Sequence, residues 1–384
     1  MTADLERERA ARAALARTRE PGDLWLARSV AEIGAVDLHE HLRSGRHHTG
    51  TAAEVAALLA DVHPERDLDR ARRMGLRFVV PGDDEWPSQV EDLAFAEPGT
   101  EGGGAPLGLW ARGPRRLDEL ARSVAVVGSR SATTYGCDVA AEFAAGCAAA
   151  GWAVVSGGAV GIDVSAHRGA LAGGGHTAAV LACGADKVYP RAHEQLLEHL
   201  AAEHVLVSET VPGGAPFKHR FLTRNRIIAA LAAGTVVVEA AARSGALNSA
   251  GWAARLNRPL LGVPGPVPSA SSEGVHARLR SGRATVATSA EDVLDAVAAV
   301  GEHHATDRRG PERAGDRLSP RHQRVLEAVP ALRPAAADSI ARVAGLGAGE
   351  VSAALDDLVA SDLVVPDGRG WRLARRPGEE LPDA

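Results

Sequence analysis

Basic and aromatic side chains crowd together directly before an apolar run in the stretch FKHRFLTRNRIIAALAAG, residues 217–234. The first ten positions hold seven such side chains: Phe217, Lys218, His219, Arg220, Phe221, Arg224 and Arg226. Single-stranded nucleic acids are bound by this combination, because cations track the phosphate backbone while bases stack on aromatic rings. The alternative is a solvated or paired charge cluster, for which Glu209 and Glu239 are the nearest candidate partners.

A glycine-containing loop in AVAVVGSRSATTYG offers a second place for an anion. Gly128, Ser129 and Arg130 follow a β-branched run and precede a helical stretch, so backbone N–H groups, a helix N-terminus and a guanidinium converge there. The G-x-G-x-x-G spacing is absent, which disfavours a dinucleotide, and we predict no cofactor. A structural turn with Arg130 in a salt bridge is the alternative.

A third loop, SGGAVGIDVSAHRGAL at residues 156–171, also leads into a helix. Gly157 and Gly158 can expose backbone amides to a phosphate. His167 has no Ser, Cys or acidic partner at a usable spacing, so we interpret it as a packed or hydrogen-bonded histidine and not as a general base. We predict no catalytic residue here.

The composition limits the classes of protein that can apply. The 384 residues suggest two or three domains, and the net charge is −6, yet residues 121–300 carry 15 Lys and Arg against 13 Asp and Glu. An anionic partner would therefore bind to a local patch of positive charge and not to the protein as a whole.

Three separated cysteines fit neither a disulfide framework nor a metal site and are expected in the core. No apolar run spans a membrane and the N-terminus is a charged helix, so we expect a cytoplasmic protein without a membrane partner.

Six short apolar runs alternate with alanine-rich helical stretches: VAVVGSR, WAVVSGG, TAAVLACG, HVLVSET, TVVVEAA and PLLGVPG. Such continuously apolar runs are typical of parallel strands covered on both faces. The pattern predicts an α/β fold with a doubly wound, mostly parallel sheet, in which ligands lie at the carboxyl ends of the strands.

The segments on either side differ in character. The first 75 residues are helical in pattern, residues 302–318 are polar and charged, and the last part shows three helices and a hairpin with Asp367-Gly368 at its turn. Three helices and a hairpin indicate a winged helix. The predicted organisation is a helical domain at 1–75, the α/β domain at 76–300, a linker at 301–318, the winged helix at 319–376 and a tail at 377–384.

Taken together, six motifs resemble the DNA-processing protein A (DprA/Smf) family in order and spacing over residues 122–265: VAVVGSRSATTYG, VVSGGAVGIDVSAHRGAL, AVLACGADKVYPRAH, SETVPGGAPFKHRFLTRNRIIAAL, VVVEAAARSGALNSA and GVPG. The resemblance implies an extended Rossmann-like domain that binds single-stranded DNA, a homodimer, and loading of RecA recombinase in natural transformation. It also implies a sterile-alpha-motif-like (SAM-like) N-terminal domain.

Residue by residue, the resemblance places Arg130, Lys218 and Phe221 in a DNA pocket and matches the RNRI signature to Arg224–Ile227. The residues predicted to bind DNA, from motifs and resemblance together, are Gly128, Ser129, Arg130, Gly157, Gly158, Lys218, Phe221, Arg224, Asn225 and Arg226. The segment 272–283 departs from the family pattern, with His276 where asparagine is expected.

Two further functions compete with single-strand binding. Related Rossmann-like enzymes hydrolyse nucleotide glycosidic bonds with a glutamate, for which Glu239 is the candidate, although their GGxGT phosphate signature is missing here. A winged-helix regulator of duplex DNA is the other, but the helix GAGEVSAALDDLVASDL carries acidic residues and no Lys or Arg, which repels phosphates. We expect a binding protein and not an enzyme.

Overall fold

The computed structural model describes residues 3–44, 49–96, 102–303 and 317–374. The chain divides into two compact units, 1–305 and 306–384. Most of the predicted linker and the whole predicted tail lie outside the described residues, and the predicted domain boundaries stay predictions.

Five helices form the beginning of the first unit: α1 (Ala3–Leu15), α2 (Leu24–Ile33), α3 (Ala35–Arg43), α4 (Gly50–Leu59) and α5 (Pro64–Arg73). Asp23 caps α2 by accepting a hydrogen bond from the Leu26 backbone N–H at 2.8 Å, and Pro64 opens α5 where a free N–H is not required. Leu15, Leu42 and Leu59 are buried in a common core. The helical pattern predicted for this segment is therefore present.

A nine-stranded sheet follows within the described residues, with strands β1 (Leu76–Val79), β2 (Leu109–Arg112), β3 (Ser123–Val127), β4 (Ala153–Ser156), β5 (Thr177–Leu181), β6 (Val205–Ser208), β7 (Gly234–Val237), β8 (Leu260–Gly262) and β9 (Thr285–Val286). Their spatial order is β1-β2-β6-β5-β4-β3-β7-β8-β9. The β1–β2 and β2–β6 pairs are antiparallel and the others are parallel. The prediction of a mostly parallel sheet is confirmed.

Helices cover both faces of this sheet: α6 (Thr134–Ala149), α7 (Ile162–Ala172), α8 (Glu194–Glu203), α9 (Lys218–Leu231), α10 (Ala246–Arg255), α11 (Glu273–Arg280) and α12 (Ala290–Val297). Successive side chains of a strand point to opposite faces. In β3, Val124 and Val126 pack into the core with α6 and α7, whereas Ala125 and Val127 pack into the core with α9 and α10. This two-sided burial explains why the strands are apolar throughout.

The second unit contains α13 (Pro320–Ala328), α14 (Ala337–Ala344), α15 (Ala348–Ala360) and a hairpin of β10 (Val364–Asp367) and β11 (Gly370–Leu373). The two residues of the turn are 368 and 369, one position later than the Asp367-Gly368 turn that the sequence suggested, because Asp367 still pairs with Gly370. The predicted order of three helices and a hairpin is present. Its assignment as a winged helix stays a prediction.

Among the described helices, none combines the length and the apolar character needed to cross a membrane. Cys147 and Cys183 are buried and Cys137 is half-buried, as expected for small residues of the core. Burial raises the pKa of the Cys147 thiol to about 12.

Candidate nucleic-acid interface

An open cleft of about 480 Å³ lies at the carboxyl ends of β3 and β7. Four chain segments line it: the loop that follows β3, the turn before α7, the first three turns of α9, and the loop between β7 and α10. In a doubly wound sheet this edge is where ligands bind, because loops from neighbouring strands converge there. The cleft is therefore the candidate functional site.

A cation and two aromatic rings stand together at this cleft. The Arg130 guanidinium carbon lies 4.6 Å from the centre of the Phe221 ring, which is a cation–π contact. The Tyr189 ring packs against Phe221 with a centroid distance of 5.9 Å and an interplanar angle of 54°. Phe217 lies apart from them, half-exposed beneath Arg220. The structure thus brings the predicted Arg130 and Phe221 together.

Positive charge dominates the lining of the cleft. Arg130, Lys218, Arg224 and Arg243 line it, whereas Asp163 is the only carboxylate that lines it in the part of the chain that the structure describes. Arg130, Lys218 and Arg243 are exposed, and the N-terminus of α10 at Ala246 adds the positive end of a helix dipole. The local excess of positive charge favours an anionic ligand despite the net charge of −6.

Arg224 forms a buried part of the wall rather than an exposed contact. Its Nη1 donates to the Gly157 carbonyl at 2.7 Å and to the Val180 carbonyl. Burial lowers the pKa of Arg224 to about 10, an effect that the Asp163 carboxylate opposes. Burial likewise raises the pKa of Asp163, which Arg224 opposes. Arg224 therefore fixes the turn before α7 and adds charge from beneath the surface.

Gly157 and Gly158 do not line the cleft. A Cβ atom at Gly157 would lie 2.6 Å from both Arg224 Nη2 and Asp163 Oδ2, so only glycine allows these two side chains to approach. Gly158 has φ of +68° and packs against Leu197. The interpretation of these glycines as phosphate-binding amides is replaced by a structural one, because Arg224 and Asp163 occupy the space beside Gly157 and apolar side chains lie beside Gly158.

Three more of the predicted residues, Gly128, Ser129 and Asn225, line the cleft, and two of them also form hydrogen bonds that hold its walls. Gly128 and Ser129 line the cleft, and the Ser129 N–H donates to the Glu239 carbonyl at 2.8 Å. Asn225 also lines it, and its Nδ2 donates to the Gly245 carbonyl at 3.3 Å, which ties α9 to the loop before α10.

Helix α9 sorts the basic cluster onto two faces. Each residue of an α-helix is rotated by about 100° from the previous one. Lys218, Phe221 and Asn225 therefore share the face that lines the cleft. His219, Arg220 and Arg226 lie on the other side, toward the N-terminal segment.

Carboxylates neutralise that other face. Arg220 forms two hydrogen bonds of 2.7 Å with Glu20, and His219 Nε2 lies 2.9 Å from the same carboxylate. Arg226 is fully buried, with Nη2 2.6 and 2.7 Å from the Glu209 oxygens and Nε donating to the Gly102 carbonyl at 2.9 Å. Arg226 is thus not placed to contact DNA, because Glu209 already supplies its anion.

Glu239, the candidate catalytic glutamate, holds the start of α6. Its two oxygens accept hydrogen bonds from the Thr133 side chain at 2.6 Å and the Thr133 N–H at 2.9 Å, and Ser271 donates to it at 3.2 Å. The residue is 2 % exposed and does not line the cleft. These contacts give Glu239 a structural role as part of a helix cap.

Two histidines singled out in the sequence, His167 and His276, also have structural roles. His167 is buried, with Nδ1 2.7 Å from the Thr177 hydroxyl, and burial lowers its pKa to about 3, which confirms it as a packed histidine. His276, where the family pattern is broken, lies on α11 and its Nε2 is 3.1 Å from the Gly265 carbonyl. The substitution therefore serves to join α11 to the loop after β8.

Sequence reasoning missed two residues of the site, Tyr189 and Arg243. Arg243 comes shortly after the end of β7, so its position in a loop at the carboxyl edge was a usable signal. Tyr189 lies in the motif AVLACGADKVYPRAH, far from Phe221 in sequence, and only the packing of the two rings reveals it.

Comparisons with known proteins agree with this architecture. The family model of the DNA recombination-mediator protein A matches residues 77–298. A Mycobacterium tuberculosis protein, provisionally named DNA processing protein DprA, is 45% identical over 372 residues, which cover 94% of this chain and 93% of that protein. DNA processing protein DprA of Streptococcus pneumoniae is 38% identical over 190 residues, 50% of this chain and 66% of that protein.

Solved structures show the same relationship. The crystal structure of DNA processing protein A from Streptococcus pneumoniae superimposes with a TM-score of 0.62 at 28% identity and covers 76% of this chain and 97% of that chain. A Helicobacter pylori DNA processing protein A, whose structure is described for its single-stranded DNA binding mode, gives a TM-score of 0.51 at 25% identity over 60% of this chain and 97% of that one. The chain belongs to the DNA recombination-mediator protein A family.

Proposed function

We propose that this protein binds single-stranded DNA in the cleft at the carboxyl ends of β3 and β7. The observation that carries the proposal is the Arg130–Phe221 contact of 4.6 Å in a cleft lined by four cations and one carboxylate. Cations that follow a backbone and flat groups on which bases stack are the two elements of sequence-independent single-strand binding. The single-stranded DNA binding mode of the Helicobacter pylori relative supports the same ligand.

The site divides the work between phosphates and bases. Lys218 and Arg243 are exposed cations that can pair with phosphate oxygens, and the α10 N-terminus favours negative charge beside them. Arg130 lies over one face of Phe221, and a guanidinium plane stacks on a base as an aromatic ring does. Bases therefore stack on the group formed by Arg130, Phe221 and Tyr189.

The proposed role of the bound strand is in recombination. The family description names a recombination mediator, and we propose that the strand held in the cleft is passed to RecA. A homodimer would present two such clefts to one strand and increase the effective affinity by linking them. Both proposals rest on the family resemblance. Co-sedimentation with RecA and light scattering of the free protein test them separately.

Passing a bound strand to RecA requires binding and release, and no covalent bond has to be broken. Glycosidic hydrolysis by Glu239 has no support, because that carboxylate is buried and hydrogen-bonded to Thr133 outside the cleft. Release of free base from nucleoside monophosphates would be the measurement that revives the enzymatic alternative.

Fluorescence anisotropy with labelled oligonucleotides tests the proposed function. Single-stranded and duplex probes of the same sequence are titrated with the full chain at several salt concentrations. We expect tighter binding to the single strand, with an affinity that falls as salt rises, because phosphate contacts release counterions. Equal or tighter binding to the duplex would refute the proposal.

A further inference from the structure

A stripe of arginines runs along α5, away from the cleft. Arg66, Arg70 and Arg73 are spaced four and three residues apart, so they share one helix face over about 10 Å. All three are exposed. We call these three residues the arginine stripe.

The arginine stripe borders a recess of about 460 Å³ that is also lined by Arg17, His63, Asp61 and Asp67. Asp67 is already paired with Arg17 at 2.6 Å. No side-chain hydrogen bond or ion pair links a stripe arginine to any other residue that the structure describes. The dipole of α5 favours Arg70 and Arg73 in the last turn, whereas Arg66 lies in the first turn, where a cation is disfavoured. The dipole leaves the guanidinium donors of all three arginines unused.

The recess adjoins a loop that leads toward the cleft. A second recess of about 360 Å³ shares Arg70 with the first and extends to Asp186 and Gly213. Asp186 accepts a hydrogen bond from the Gly213 N–H at 2.9 Å, which partly offsets its charge. Three residues further along the same loop, a span of at most about 11 Å, Tyr189 packs on Phe221 of the cleft.

Lys187 adds a half-buried cation to this connecting loop, and its Nζ donates to the Gly213 carbonyl at 2.6 Å. The path therefore offers a cation at the cleft, another on the loop and three on the arginine stripe. A flexible single strand can follow such a turning path. Duplex DNA, with a persistence length of about 50 nm, cannot bend over so short a distance without a large cost.

We infer that the arginine stripe is a second phosphate-binding site, which holds single-stranded nucleic acid that extends from the cleft over the Tyr189 loop. The inference rests on the proposed function of the cleft. It assigns the N-terminal helices a direct contact with nucleic acid, which their sequence alone does not predict. A strand long enough to reach α5 gains extra ionic contacts, and a strand that fills only the cleft does not.

The test compares two labelled oligothymidylates, one of about 6 nucleotides and one of about 25, on the full chain. The variant replaces all three stripe residues: Arg66→Gln, Arg70→Gln and Arg73→Gln. A charge-matched control replaces three exposed arginines elsewhere: Arg28→Gln, Arg43→Gln and Arg342→Gln. Thermal midpoints equal to the parent's show that both variants are folded.

For the long oligonucleotide, the stripe variant should lower the slope of log affinity against log salt by about 2, at about 0.7 per lost phosphate contact. Its affinity and slope for the short oligonucleotide should match the parent's, and the control should match the parent with both probes. An unchanged slope for the long probe, or an equal loss in the control, would overturn the inference. A parent that fails to bind the short probe would instead refute the proposed function of the cleft.

Discussion

Arg224 and Arg226 lie two positions apart on α9 and form hydrogen bonds on opposite sides of it. Arg224 donates to the Gly157 carbonyl at 2.7 Å in the wall of the cleft, and Arg226 contacts Glu209 at 2.6 Å beneath the N-terminal segment. Two residues correspond to about 200° of helical rotation, which accounts for the divergence. One helix thereby presents a ligand-binding face and anchors a neighbouring segment with the other.

Charge and stacking in the cleft should be separable by mutation. Arg130→Ala and Lys218→Ala each remove one phosphate partner, so single-strand binding should weaken and the log–log salt slope should fall by about 0.7. Arg168→Ala, which removes an exposed arginine of α7 outside the cleft, is the control and should leave the slope unaltered. A variant at either cleft position with the parent's slope would remove that residue from the site.

Phe221→Ala should lower affinity without changing the salt slope, because a stacked base contributes about 1–3 kcal/mol and releases no counterion. Phe217→Ala is the matched control, since this ring lies about one helical turn before Phe221, contacts Arg220 and does not line the cleft. Anisotropy titrations at four salt concentrations measure both quantities. Equal effects of the two substitutions would show that Phe221 acts through loop packing alone.

Arg243→Ala should resemble Lys218→Ala, although Arg243 is not among the residues predicted from the sequence. Its side chain is exposed and lines the cleft, so its loss should flatten the salt slope by about 0.7 and leave the thermal midpoint unchanged. The same titration measures this effect beside the Arg168→Ala control. Full affinity with an unaltered slope would place the strand on the opposite wall of the cleft.

Glu209→Ala should destabilise the first unit by about 3–5 kcal/mol, because it leaves Arg226 buried without its carboxylate. Adding Arg226→Met should restore much of this stability, since replacing both charges removes the unpaired one. Urea unfolding of the two variants measures the difference. The double variant should bind single strands with the parent's salt slope, and a flattened slope would show that Arg226 contacts phosphate after all.

Acid should weaken the contact between α9 and the N-terminal segment. The hydrogen bonds from Arg220 lower the pKa of Glu20 from 4.5 to about 2, and the hydrogen bond with His219 makes a smaller contribution in the same direction. Its contribution is therefore complete above about pH 4.5 and is lost as the pH falls toward 2. The contribution is small, on the order of 1 kcal/mol or less, because the Glu20 side chain is 53% exposed.

Thermal unfolding of the parent and of Glu20→Gln at pH 6 and pH 3 tests this dependence. The parent should be the more stable of the two at pH 6, and the gap should narrow at pH 3. A gap that widens in acid would contradict the depressed pKa of Glu20.

Much of the fold and part of the site were accessible from sequence. Continuous apolar runs such as VAVV in β3 specify strands buried on both faces, because alternate residues must meet a helix layer on each side. Parallel strands place their following loops at one edge, so Arg130 and the start of α9 could be expected near one another. Helical periodicity and glycine-containing breaks likewise indicated the N-terminal helices and the last unit.

Only the tertiary structure decided which charges of the cluster are available. Lys218 and Arg226 look equivalent in the sequence, but Arg226 meets Glu209 and the Gly102 carbonyl, whereas Lys218 stays exposed at the cleft. Tyr189 and Arg243 join the site from distant segments, and Gly157 serves side-chain packing instead of phosphate binding. Local sequence determines whether a segment forms a helix or a strand. The partner of a buried charge is instead set by the chain segment that folds against it. That segment can lie more than a hundred residues away, as Gly102 does from Arg226.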